Sequence, residues 1–302
     1  MFKTGMIQML LASLLAAGVA LPAQGTKIGG TQKPAFMERE TWRIEFDNDV
    51  FFNSDNGISS GLSLQWHSEV AGDWDALKKA PKFLRRLGHR IPTLTGDRLV
   101  YRAGVAIGQV IQTPDDLSRR DLIKEDIPYA GVLTLQMSWY AYNDDEFRGF
   151  EIISGVVGPL SLAGPAQKVV HKLLHSSFPQ GWDNQLANEP LINLNYMRKV
   201  KIWHEGKPAE ISFDVAIDGN AAMGNLFSQA STALEMRIGY NMPGGFIYMP
   251  DPIGFNMNYR ATLKSARPGA GSFYGSLVLR GTALAHTIFL DGNLFRDSHR
   301  ID

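Results

Sequence analysis

The chain has 302 residues, with 30 basic and 30 acidic side chains and a formal net charge of zero. This balance provides no basic surface for a nucleic acid partner. Cysteine is absent, which excludes a disulfide framework, a cysteine nucleophile and a zinc site built from thiolates. Glycine is frequent, with 30 residues, and aromatic residues make up 10% of the chain, as is typical of all-β proteins.

The N-terminus has the features of a secretory signal peptide. Lys3 supplies a positive charge, residues 6–21 are mostly apolar, and small residues near Ala23 suit cleavage. We therefore predict a signal peptide over residues 1–23 and a single exported domain over residues 24–302. The alternative for the apolar segment is a buried N-terminal helix.

Segments of the exported part alternate apolar and polar residues with a period of two, which predicts β-strands. The clearest segments are 42–47, 62–67, 133–140 and 211–218, and further candidates are 99–112, 148–158, 191–203, 231–240, 255–263 and 272–288. After the signal, the sequence has no apolar run of the length that a spanning helix needs. Residues 70–97 and 160–190 are interpreted as long connections on the outside of the membrane, if the strands form a barrel.

Two architectures fit strands with one apolar and one polar face. A soluble sandwich would bury the apolar face, whereas a transmembrane barrel would expose it to lipid and keep the polar face in its lumen. Long strands, the export signal and aromatic residues near strand ends favour the barrel. These aromatic residues are Tyr101, Tyr129, Tyr140 and Tyr142.

Residues 164–175, GPAQKVVHKLLH, predict a helix in a chain otherwise composed of strands and turns. Pro165 suits the first turn of a helix. Gln167 and His171 are four residues apart and therefore share one helix face. One interpretation is that this helix carries a catalytic base; the other is that it covers or plugs the barrel.

A group of oxygen-bearing side chains follows the first predicted strand. Asn48 and Asp49 end that strand, and Ser59 precedes the next one. Carboxylate and amide oxygens could bind a hard cation such as calcium. The same residue types also form hairpin turns, which is the alternative interpretation.

Three sets of motifs occur in a fixed order. They are FDNDVFF…NGISSGLSLQW, GQ…TPDDL…EDIPYAGVL and GPAQKVVHKLL…GWDNQL. Together they resemble the lipid A deacylase family of outer-membrane barrels, from about Arg43 to the C-terminus. The resemblance implies a twelve-stranded antiparallel transmembrane β-barrel with a short helix in an extracellular loop, and about ten of these strands are visible in the sequence. It also implies calcium as a cofactor, lipid A of lipopolysaccharide as the substrate, and a monomer in the outer membrane of a Gram-negative bacterium.

The resemblance also assigns site residues. It implies that Asn48 and Asp49 contribute to the calcium site, that His171 is the catalytic base, that Gln167 assists it, and that Ser59 forms a hydrogen bond in the site. These positions match the family motifs residue by residue.

Three features of the sequence depart from the family. The loop lysine of the family has Arg119 or Lys124 as its nearest counterpart, for binding substrate. Ser177 stands where the family has an acidic residue, six positions after the histidine. The chain ends on a polar stretch after Phe295 rather than on a strand with a terminal aromatic residue. We therefore expect two strands fewer than the family number and a barrel that inserts weakly.

The resulting expectation is an outer-membrane hydrolase that removes an ester-linked acyl chain from lipid A. His171 would activate water; the alternative chemistry makes Ser59 the nucleophile and His171 its base. Two functions of other classes stay open. One is a channel or structural barrel without enzymatic activity, and the other is a soluble periplasmic β-protein.

Overall fold

The computed structural model describes residues 39–48, 60–174, 178–207, 209–246, 262–265 and 271–299. All of them belong to one compact unit, Phe36–Asp302. The predicted signal peptide over residues 1–23 lies outside the described residues. Among the described residues, no helix has the length and apolar composition that crossing a membrane requires.

Antiparallel strands make up most of this part of the chain. The strands are β1 (Thr41–Asn48), β2 (Ser60–His67), β3 (Val100–Gln112), β4 (Ala130–Tyr142), β5 (Glu146–Val157), β6 (Glu189–Glu205), β7 (Ile211–Gly224), β8 (Phe227–Tyr240), β9 (Pro243–Gly245), β10 (Thr262–Ser265) and β11 (Phe273–Thr287). The helices are α1 (Lys82–Arg90), α2 (Ala163–Leu174) and α3 (Ile288–Asp291). Nine strands form one sheet in the order β1-β2-β3-β4-β5-β6-β7-β8-β11, while β9 pairs with β10. The all-β antiparallel fold predicted from the sequence is therefore confirmed.

One face of the sheet is apolar and exposed. Ile44, Leu64, Ile107 and Leu135 are register partners across four neighbouring strands, β1 to β4. All four side chains are exposed, although they are large and apolar. A contiguous exposed row of this kind suits contact with lipid rather than water. We call this side of the sheet the outer wall.

The opposite face carries buried charges. The Lys199 Nζ contacts a carboxylate oxygen of Glu235 and lies 3.6 Å from Oδ2 of Asp218. All three side chains are almost fully buried. Charged side chains are stable in a buried position only when they are paired. Alternation along the strands therefore puts apolar side chains on the outer wall and paired charges on the inner face.

A hydrogen bond between distant strands shows that the sheet is curled around this interior. The Gln112 amide, on β3, donates to the carbonyl of Phe289 in α3, 3.0 Å away. In a flat sheet β3 and β11, which leads into α3, would be about 29 Å apart, at roughly 4.8 Å per strand. Buried apolar side chains line the interior at this end. They are Val110, Ala130, Val132, Ile153, Val157, Leu186, Leu191, Ala222, Leu226, Phe227, Ile288 and Phe289, from six strands, two connections and α3.

The two ends of the sheet carry different connections. The connections 113–129 and 158–188, the β7–β8 turn and the C-terminal end of β1 lie at one end, which we call the loop end. The connection 68–99, the β4–β5 turn and the β6–β7 turn lie at the opposite end, the turn end. Two connections lie at the same end of an antiparallel sheet only when an even number of strands separates them. Three strands, β3 to β5, separate residues 70–97 from residues 160–190, so the two connections lie at opposite ends. The expectation that both face the outside of the membrane is therefore wrong.

Both long connections fold back onto the outer wall. At the turn end, α1 covers Ala103 and Trp139, and the Trp139 indole donates to the carbonyl of Leu84 at 2.8 Å. At the loop end, α2 packs against β3 and β4. The helix predicted for residues 164–175 is confirmed, with its first residue at Ala163.

Candidate functional site

The helix α2 lies on the outer wall rather than in the interior. Its first residue, Ala163, belongs to a buried cluster with Ile111 and Trp182. The register places Ile111 beside Gly131, on the same face as the exposed Ile107 and Leu135. A Cβ atom on Gly131 would lie 2.2 Å from Cβ of Ala163, so only glycine allows this approach. The first residue of α2 therefore packs directly against the backbone of β4.

A hydrogen bond fixes the turn that precedes α2. The Gln109 side-chain amide, on β3, donates to the carbonyl of Ser161 at 2.6 Å. Ser161 lies in the short 3-10 turn Pro159–Ser161, and its own hydroxyl accepts from the N–H of Ala163 at 3.3 Å. Two strands of the wall therefore hold the start of the helix, one by close packing and one by a polar contact.

Gln167 is buried and held by Trp182. The Trp182 indole N–H donates to Oε1 of Gln167 at 2.8 Å. The indole packs against Gly164, where a Cβ would lie 3.0 Å from the ring, and against the Tyr129 ring at 5.1 Å between centroids. Burial raises the pKa of the Tyr129 phenol, so this side chain stays neutral near pH 7. The sequence indicated Trp182 only as part of a loop motif and gave no signal for this pairing.

His171 follows Gln167 by one helical turn on the same face, as the four-residue spacing predicts. Its side chain is half-buried, while its neighbours Lys168 and Lys172 are exposed. The structure thus places both predicted helix residues at the loop end, on a helix anchored to the outer wall. A half-buried imidazole next to a buried amide can exchange a proton with a reactant that approaches from the membrane side.

The loop 113–129 packs beside α2 through the segment that follows this helix. The N–H of Gln180 donates to the carbonyl of Leu117 at 2.9 Å, and the Asn184 amide donates to the carbonyl of Arg120 at 2.6 Å. The Arg120 guanidinium donates to Oε1 of Gln180 at 3.1 Å. These bonds position the loop that carries the predicted substrate-binding residues.

Arg119 and Lys124 both lie exposed on this loop. The Arg119 guanidinium bonds the carboxylate of Asp121 at 2.6 Å. This pair raises the pKa of Arg119 and lowers the pKa of Asp121, so both remain charged near neutral pH. An anionic ligand would therefore compete with Asp121 for Arg119, whereas Lys124 has no ion pair among those found in the described part of the chain.

The predicted calcium residues lie mostly outside the described residues. Asn48 is the last residue of β1 and pairs with Ser60, which in turn pairs with Ile111 beneath α2. Two strand spacings, about 10 Å, therefore separate the Asn48 backbone from the wall residue that contacts the helix. Asp49 and Ser59 adjoin this pair in the sequence, but they and Ser177 lie outside the described residues. Their part in the site stays a prediction.

A second group of possible metal ligands lies at the turn end. Asp73, Asp75 and His89 bring their ligand atoms within 4.8 Å of one another, and all three residues are exposed. The closest pair is His89 Nε2 and Asp75 Oδ2, at 3.2 Å. No sequence motif indicated this cluster. Its location at the opposite end of the strands separates it from the predicted site.

The apolar outer wall, the ion-paired interior and the antiparallel strand order together define an outer-membrane β-barrel. A search of curated proteins finds no match. The sequence model described as "Outer membrane protein LpxR" matches residues 9–302, and the chain belongs to this family. The resemblance proposed from the motifs and the outer-membrane location are thereby confirmed.

A solved structure, LpxR from Salmonella typhimurium, has a similar fold. The TM-score is 0.58, at 14% sequence identity, and the similarity covers 81% of this chain and 73% of that one. At this level of identity the similarity establishes the fold. The roles of individual residues must be argued from the geometry of this chain.

Proposed function

We propose that the protein is an outer-membrane hydrolase that removes an ester-linked acyl chain from lipid A of lipopolysaccharide. The observation that carries this proposal is the position of α2 on the outer wall at the loop end. A catalytic group on that helix meets lipid in the plane of the membrane. A substrate that is itself a membrane lipid could reach it without entering the barrel.

The proposed reaction begins with His171. Its imidazole takes a proton from a water molecule, whose oxygen attacks the ester carbonyl carbon. The proton then passes from the imidazolium to the oxygen of the departing alcohol, so that the products are a fatty acid and a lipid with a free hydroxyl. Gln167 has its amide oxygen occupied by Trp182, and its amide NH₂ remains to orient water or substrate. Serine attack by Ser59 is the alternative chemistry.

Asn48 and Asp49 suit calcium by the chemistry of their donor atoms. An amide oxygen and a carboxylate are hard ligands, and the chain contains no cysteine to favour a soft metal. Calcium bound there would supply positive charge beside the ester carbonyl. Arg119 and Lys124 would bind the anionic groups of the substrate, since both are exposed on the loop 113–129.

The structure of the interior argues against the alternative of an open channel. Ile288 and Phe289 of α3 are buried with strand residues at the loop end, where Gln112 on β3 contacts the backbone of α3. Phe246 lies with Tyr140 and Phe147 in another buried cluster near the turn end. Buried apolar side chains at both ends do not suit a pore for bulk water.

Mass spectrometry of lipid A provides the test. Lipid A from cells that express the protein should lack the mass of one acyl chain relative to lipid A from cells that do not. Cells that express the His171→Ala variant at the same outer-membrane level serve as the control. Unchanged lipid A in the presence of correctly inserted wild-type protein would overturn the proposal.

A further inference from the structure

The connection between β2 and β3 places a basic helix on the outer wall at the turn end. Leu77, Ala80, Leu84 and Leu94 from this connection pack with Ala103, Trp139 and Ala141 of the strands. Arg148, which is next to Ala141 in register, donates to the carbonyl of Thr93 at 3.3 Å. The covered strand residues have the same orientation as Ile107 and Leu135, which are exposed. The helix α1 therefore stands on the side of the barrel where the membrane is.

The depth of α1 corresponds to a membrane surface. Its contacts at Ala103 lie four residues along β3 from Ile107, in the exposed apolar row. Four residues span about 13 Å of strand, or about 10 Å across the membrane at a strand tilt near 40°. Ile107 is midway along β3 between Ala103, under α1, and Ile111, under α2, so we take it as the centre of the apolar band. Such a band is about 25 Å tall, which puts α1 close to its edge, where lipid head groups begin.

The exposed side of α1 has the composition of a surface-bound helix. Phe83 and Leu87 are exposed and one turn apart, although both are large and apolar. They are flanked by Lys82, Arg86 and Arg90, which are also exposed, and α1 contains no acidic residue. Apolar side chains bordered by cations match the boundary between acyl chains and anionic head groups.

We infer that α1 binds the surface of a bilayer that contains anionic phospholipid, with Phe83 and Leu87 inserted and Arg86 and Arg90 at the phosphates. The bilayer surface concerned is the one opposite the candidate catalytic helix, since α1 lies at the turn end. A soluble partner or a second copy of the chain fits the exposed side of α1 less well than a bilayer does, because this helix adjoins a lipid-facing wall. This inference rests on the outer-membrane location and does not depend on the proposed activity.

The absence of cysteine makes a site-specific probe possible. Phe83→Cys would be labelled with a polarity-sensitive fluorophore and refolded into vesicles. One set contains phosphatidylcholine and the other a mixture with phosphatidylglycerol. Asp75→Cys is the water reference, because its side chain on the same connection is 80% exposed. Leu135→Cys, on the exposed part of the wall, is the lipid reference.

We expect the label at position 83 to emit at shorter wavelength than the label at 75, and to be several-fold less accessible to acrylamide. The blue shift should increase when phosphatidylglycerol is present, while the label at 135 should not respond. Reversal of two charges, Arg86→Glu with Arg90→Glu, should remove the response to phosphatidylglycerol. The matched control is Lys168→Glu with Lys172→Glu, two exposed lysines on α2, which should leave the response intact.

Three results would overturn the inference. The label at 83 could be quenched as readily as the label at 75 in both membranes. Its emission could be insensitive to phosphatidylglycerol or to the charge reversal. Its shift could instead depend on the protein-to-lipid ratio, which would identify a second copy of the chain as the occupant. Deacylation is not measured in any of these arms, so they are independent of the proposed function.

Discussion

The indole nitrogen of Trp182 lies 2.8 Å from Oε1 of Gln167, and both side chains are buried. An indole N–H can only donate, so it fixes the orientation of the amide, with the oxygen toward Trp182 and the NH₂ group free to act elsewhere. Gln167 therefore offers a donor to the site rather than an acceptor. The tryptophan is held in turn by Tyr129 and Gly164.

Trp182→Phe should remove this donor while it keeps most of the ring packing. A buried hydrogen bond contributes about 0.5–1.5 kcal/mol, so we expect kcat for deacylation to fall about threefold to tenfold with KM little changed. The double variant Trp182→Phe with Gln167→Ala should lose little more activity than Gln167→Ala alone, because both substitutions remove the same hydrogen bond. Trp139→Phe is the matched control, since its indole also donates at 2.8 Å to a buried carbonyl, at the turn end. Equal losses in the two tryptophan variants would contradict a positioning role for Trp182.

His171→Ala should abolish deacylation without loss of folding. Removal of a general base costs about 10²–10⁴ in rate, whereas a half-buried helix position tolerates alanine well. Lipid A turnover by purified protein in detergent would be compared with that of Lys168→Ala, an exposed neighbour on α2. Turnover near the wild-type level by folded His171→Ala would exclude this histidine as the base.

Chelation of calcium should stop deacylation and its return should restore it. The basis is the pair of hard donors at the end of β1, where Asn48 belongs to the last register pair and Asp49 is the next residue in the sequence. Activity would be measured in excess EGTA, with calcium or magnesium added back, and calcium binding by Asp49→Asn would be measured separately by calorimetry. Full turnover in EGTA would count against the cofactor.

Acidification should loosen the loop 113–129. The N–H and the hydroxyl of Ser118 both donate to Asp116, at 2.9 and 2.6 Å, and they lower the pKa of that carboxyl. A lowered carboxyl pKa contributes stability above the ordinary value near about 3.9, and this contribution is lost as the pH falls through the folded-state pKa. Hydrogen exchange at the Ser118 amide should therefore become faster, after correction for intrinsic rates, as the pH is lowered from 6 to about 2. Asp116→Asn should already be less protected at pH 6; equal protection at both pH values would refute the effect.

Lys199→Met should destabilise the barrel through its interior. The ammonium group stands between Glu235 and Asp218, and its loss leaves two buried carboxylates without their shared cation. The loss of one partner of a buried ion pair costs about 3–5 kcal/mol. Chemical unfolding in detergent would measure this, against Lys207→Met at an exposed position beyond the same strand. An unchanged midpoint for Lys199→Met would show that the interior charges are not energetically coupled.

Local sequence patterns were sufficient to predict much of the fold. Alternation along residues 133–140 predicted a strand with Leu135 and Met137 on one face, and β4 has this geometry. The spacing of Gln167 and His171 predicted their common helix face, because the helical period is fixed by the backbone.

The long-range contacts could not be predicted in the same way. No local pattern indicates that residues 68–99 fold back onto Trp139, since this contact depends on the hand and register of β2 to β4. The same is true of the bond between Trp182 and Gln167, which joins a helix to a later loop. Gly131 in the sequence does not identify its close neighbour Ala163, which becomes evident only once α2 is docked on the wall.

The two helices on the outer wall leave a short span of strand between them. Both lie over β3 and β4, and their contacts at Ala103 and Ile111 are eight residues apart along one strand. Eight residues correspond to about 27 Å of strand, or about 20 Å along the membrane normal at a tilt near 40°. This is less than the apolar band of about 25 Å that such a barrel usually presents, and a short hydrophobic span thins the lipid around it. The lipids beside the candidate catalytic helix would therefore be compressed relative to those on the far side of the barrel, which brings their ester linkages closer to the level of His171.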